Sequence, residues 1–136
     1  ARNLDGGTLL TEMTARGRSK SVKLLLDAGA NVNQTTAAGN TALMIASGSG
    51  HVDLVRQFLQ RGVDVDHRNQ YGSTALMQAA RKGHLDIVEL LLKRGANASI
   101  RNRDKQTAAD QARHAGYKSV AQILEKNDKK GWLGVF

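Results

Sequence analysis

"GNTALMIASGSGHVDLVRQFLQRGVDVD", residues 39–66, and "GSTALMQAARKGHLDIVELLLKRGANAS", residues 72–99, are one pattern written twice. The offset is 33 at every position, carrying Thr41 onto Thr74, Ala46 onto Ala79, His51 onto His84 and Gly62 onto Gly95. A looser copy, "GGTLLTEMTARGRSKSVKLLLDAGANVN", occupies 6–33, and "KQTAADQARHAGYKSVAQILEK" follows the same register over 105–126. Self-similarity at such a period signals units that cannot bury an apolar face alone and stack to do so. Repeats at about 3–35, 36–68, 69–101 and 102–134 fill the 136 residues as a single domain, with 127–136 as a C-terminal tail.

Each unit predicts the same local structure. Gly6, Gly39 or Gly72 stands two residues before a threonine and suits a tight turn. Thr8, Thr41, Thr74 and Thr107 are then N-caps, each hydroxyl accepting from a backbone N–H three residues on. A short alanine-rich helix follows, such as Ala75 to Lys82, closed by Gly17, Gly50, Gly83 or Gly116. The second helix, such as Leu85 to Arg94, carries Leu85, Ile87, Val88, Leu90, Leu91 and Leu92, apolar on more than one side. Such a helix is sandwiched between neighbours. Gly29, Gly62 or Gly95 ends it.

A period of 33, a turn with two helices, and the run Thr-Ala-Leu-Met-x-Ala at 41–46 and 74–79 resemble the ankyrin repeat family. The resemblance implies an all-α solenoid of stacked helix–loop–helix units with projecting β-hairpin loops. The end units depart from the pattern. Ser19 and Ser21 replace Val52 and Leu54, Lys105 replaces the turn glycine, Ala109 a leucine, and Glu125 the register of Leu59 and Leu92. Polar outer units of this kind predict caps on a complete four-repeat domain.

The pair His51 and Asp53 suggests a general base or half a metal site, but it returns as His84 and Asp86. A reactive centre has no reason to recur once per repeat, and Arg18 and Tyr117 hold the histidine's place in the end units. The pair therefore reads as a helix-opening device, with Asp53 and Asp86 favourable against the helix dipole. His67 and His114 stand alone. No nucleophile motif, phosphate loop or zinc-binding pattern is present, and there is no cysteine. The expectation is a non-catalytic chain with no cofactor and no metal.

The net charge is +8, from 20 basic and 12 acidic residues, which directs attention to acidic partners. The longest uninterrupted apolar run, Ala42 to Ala46, is too short to span a bilayer. A monomer in the cytoplasm or nucleus is expected. By the resemblance, a partner protein or peptide would lie along the hairpin tips and the inner face of the first helices. The tip and inner-face positions run from Asp5 and Gly7 to Gln106 and His114, through Ala37, Ala38, Asn40, Gly48 and Ser49. The candidate contacts among them are Arg16, Arg68, Gln70, Tyr71, Ser73, Arg81, Lys82, Arg101 and Arg103. Arginine and tyrosine are the side chains that most often anchor interfaces. Nucleic-acid binding through the same basic face is the alternative, although no aromatic stacking platform accompanies the charge. A purely structural or regulatory arm of a larger protein is a third possibility. The tail, with Trp132 and Phe136, is expected to fold back over the last repeat.

Overall fold

Four threonines start four helices in the same way. Thr8, Thr41, Thr74 and Thr107 adopt extended backbone, and each hydroxyl accepts from the N–H three residues ahead at 3.2–3.3 Å. This supplies one of the hydrogen bonds a helix start lacks. The computed structural model describes residues 8–133. They form α1 (Leu9–Ala15), α2 (Ser19–Asp27), α3 (Ala42–Ser49), α4 (Val52–Leu59), α5 (Ala75–Arg81), α6 (Leu85–Lys93), α7 (Ala108–His114) and α8 (Lys118–Leu133).

The helices stack in two rows. α1, α3, α5 and α7 pack successively as the inner row, and α2, α4, α6 and α8 as the outer. The inner row is built on buried alanines, including Ala42, Ala46, Ala75, Ala79, Ala108 and Ala112. Side chains this small let neighbouring helix backbones approach closely. The outer row supplies bulk through Leu54, Val55, Phe58, Ile87, Val88, Leu91 and Leu124, each at most 1% exposed. Burying one such side chain contributes roughly 1.5–3 kcal/mol. Helices of seven to nine residues, which are marginal alone, depend on that contact between units.

The connecting hairpins are hydrogen-bonded turns rather than strands. Thr36, Asn69 and Asn102 each donate a backbone N–H to the carbonyl four residues on, at 2.9–3.0 Å. A strand-like bridge joins Thr35 and Thr41. One hairpin then bonds the next, with Gln70 N–H donating to Ala38 O and Arg103 N–H to Tyr71 O, both at 3.0 Å. Lys105 adopts φ 63 where Gly39 and Gly72 adopt φ 84 and φ 73. The left-handed turn survives its substitution.

The two ends of the described stack differ from each other. At the C-terminal end half-buried Asp110 and exposed Arg113 and Glu125 form an ion-pair chain. At the N-terminal end Leu9 is 53% exposed and Leu24 70%. The residues in Leu9's register, Ala42, Ala75 and Ala108, are at most 1% exposed because a preceding unit covers each. The tail expected over 127–136 is helical backbone through residue 133, as the continuation of α8. The Trp132 side chain and Phe136 lie outside the described residues, as do Asp5 and Gly7.

Candidate interaction surface

A groove of about 320 Å³ opens between α3 and α5, lined by Asn40, Met44, Ile45, Gly48, Ser49, Gln78, Arg81 and Lys82. The N-cap at Thr41 sets the rotation of α3, which places Met44, Ile45 and Gly48 along one side. Thr74 does the same for α5, which brings Gln78, Arg81 and the C-cap Lys82 to the other. The Arg81 guanidinium donates to Gln78 Oε1 at 2.7 Å and stays exposed. Lys82 is exposed beside it. The groove thus has an apolar floor, amides at its wall and two cations on its rim.

Above the groove the hairpin tips carry a second cluster. Tyr71 is 62% exposed, and its own carbonyl holds the Arg103 N–H. Gln70 and Arg103 are exposed on either side. Arg16 is exposed at the C-cap of α1, on the neighbouring part of the inner face.

Three expected contact residues face other duties. Arg68 donates through Nε to Gly72 O at 3.3 Å and through Nη2 to Arg101 O at 2.7 Å, bracing one hairpin against the next. Arg101 donates to Lys105 O at 2.8 Å and stands 4.0 Å from the Asp110 carboxylate. Both guanidiniums thus brace the loop framework while the residues stay exposed. Ser73 is buried, 9% exposed, with its Oγ accepting from Gln78 Nε2 at 3.3 Å, so it offers no contact surface. Conversely, Met44, Ile45 and Gln78 belong to the groove and were absent from the expected set. Ile45 had a readable signal, since its register holds Glu12, Gln78 and Gln111 in the other units.

The family model described as ankyrin repeats (3 copies) matches residues 1–69 and again 50–131. The chain belongs to the ankyrin repeat family. No curated protein matches it. Ankyrin repeats are in general protein–protein interaction modules, and the family is generally non-catalytic. The histidines of this ankyrin chain act as its architecture requires. His84 Nε2 lies 3.2 Å from Gly48 O in the preceding repeat, and His67 Nε2 lies 3.0 Å from Gly39 O. Asp53 and Asp86 occupy the first turns of α4 and α6 as expected. His114 is exposed at the end of α7, beside Gln106. The strongest electrostatic perturbations lie away from the groove. The Thr107 backbone N–H, followed by Arg113, holds the Asp110 carboxyl below its usual value. Glu125 and then Asp110 raise Arg113. Arg61 and then Lys23 lower Asp27.

Proposed function

We propose that this chain is a binding module for an acidic protein segment, held on the concave face between the second and third repeats. The observation that carries this reading is the pair Arg81 and Lys82 on the rim of a groove floored by Met44 and Ile45. Tyr71 and Arg103, exposed on the tips above, extend the same face. Two cations near an apolar floor favour a partner with carboxylates beside apolar side chains, because opposite charge speeds encounter and apolar burial slows dissociation. Arg16 and Gln70 lie on the approaches and contribute less.

The test reverses Arg81, Lys82 and Arg103 to Glu together and leaves the braces Arg68 and Arg101 untouched. Capture of partners from native lysate should fail for the variant, with helical circular dichroism unchanged. Unaltered capture would move the interface elsewhere on the solenoid.

A further inference from the structure

Gly48 has no reason within the fold to be glycine. It is the seventh residue of the eight-residue helix α3, with helical φ. A Cβ built there would meet Gln78 Cβ at 3.5 Å and Gln78 Oε1 at 3.8 Å, which is ordinary van der Waals contact. Its carbonyl receives His84, but a backbone carbonyl is common to every residue. Two positions later Gly50 is different, since φ 79 and the His84 ring 2.9 Å from a built Cβ both demand glycine. The register of Gly48 holds Ala15, Arg81 and His114 in the other units, so side chains of several sizes fit that place in the repeat. Glycine inside a helix is destabilising relative to alanine. The chain carries that cost at a position lining the groove of about 320 Å³. Residues that break a local rule without structural return concentrate at functional sites.

We propose that Gly48 keeps open a subsite for one aliphatic side chain of the bound segment, with a neighbouring Asp or Glu of that segment on Arg81 and Lys82. This rests on the concave-face reading above and adds the recognition rule. The floor of Met44 and Ile45 receives an apolar group and discriminates against a polar one, which would lose its water without gaining a partner. The cationic rim fixes the position of the carboxylate. The volume is at the lower end of the range that ligand pockets occupy, enough for one side chain rather than a folded element. The matching places in the first and third units hold Ala15 and Arg81 rather than glycine.

The probe is the most enriched peptide selected on the whole chain from a random peptide display library. Its consensus should place Leu, Ile or Val next to Asp or Glu. Measured by fluorescence anisotropy, Gly48→Leu should weaken binding at least tenfold. Gly48→Ala should weaken it less and raise the unfolding midpoint by about 3 °C, since helix propensity improves and the methyl fits. Arg81→Glu with Lys82→Glu should abolish binding. If the charge reversal abolishes binding and Gly48→Leu leaves it unchanged, the subsite is refuted and the concave face stands. If neither variant matters, both readings fall. Failure to enrich any peptide, or destabilisation by Gly48→Ala, also refutes the subsite.

Discussion

The ring of Tyr117 lies on Gly83 of the preceding repeat, so close that a Cβ built on the glycine would stand 2.5 Å from two ring carbons. His84 lies on Gly50 and His51 on Gly17 in the same way, each ring 34 residues after its glycine. The stretch that looks like a catalytic histidine is a repeated ring-on-glycine joint, and tyrosine serves in the last unit because the joint needs a flat ring rather than a titratable one.

Gly83→Ala should therefore cost about 2–4 kcal/mol, from a left-handed backbone at φ 74 together with overpacking against the ring. Gly95→Ala has φ 85 but nothing within 4 Å, and should cost only about 1–2 kcal/mol. Urea denaturation of the two variants checks the difference. Equal losses would mean that the ring contact contributes nothing.

Lys105 holds φ 63 in a turn whose counterparts are glycines. Lys105→Gly should stabilise the chain by about 0.5–1 kcal/mol, the strain relieved exceeding the chain entropy glycine adds to the unfolded state. Its N–H still reaches Asn102 O, because that bond belongs to the backbone. A lower urea midpoint for Lys105→Gly would show that the lysine side chain supports the turn.

Much of this architecture was legible in the 33-residue register. The threonine caps stand where the spacing put them, and α5 and α6 end one residue before the expected Lys82 and Arg94, which became caps. What the register could not show is direction. Charge in the sequence marked Arg68 and Arg101 as contacts; both are exposed, and their guanidiniums in addition reach carbonyls of the loop ribbon, which the register did not show. Ser73 is polar and lies in a loop, yet the turn around Asn69 draws it inward. Those outcomes depend on where backbone carbonyls fall in neighbouring turns. Of the groove lining, Asn40, Gly48, Ser49, Arg81 and Lys82 stood among the expected positions, and Ile45 left a further trace, an isoleucine where the other units are polar.

Ser47 is 0% exposed, and its hydroxyl has no hydrogen-bond partner. The same register holds Thr14, whose hydroxyl donates to Leu10 O at 2.7 Å, and Ala80, which has no hydroxyl to satisfy. Ser47→Ala should raise stability by about 1 kcal/mol, since an unpaired buried polar group is removed and the space already suits alanine. The thermal midpoint should rise with the helical signal unchanged. A fall would indicate that the hydroxyl is bonded in solution.

The C-terminal unit should weaken in acid through Asp110. Its carboxylate accepts the Thr107 N–H at 2.9 Å, closing the capping box, and it pairs with Arg113 at 3.1 Å. These contacts lower its pKa below the usual 3.8, the backbone bond first and Arg113 after it. A carboxyl with a depressed folded value binds fewer protons folded than unfolded, so it contributes stability above the unfolded value. That contribution disappears as pH falls through the folded value. Asp110→Asn keeps an acceptor for Thr107 but carries no charge to titrate. At pH 6 the native chain should therefore be more stable than Asp110→Asn, and the gap should close as pH falls from about 4 towards 2. Thermal midpoints for both proteins across that range check it. A gap independent of pH would mean that the charge of Asp110 does not support the fold.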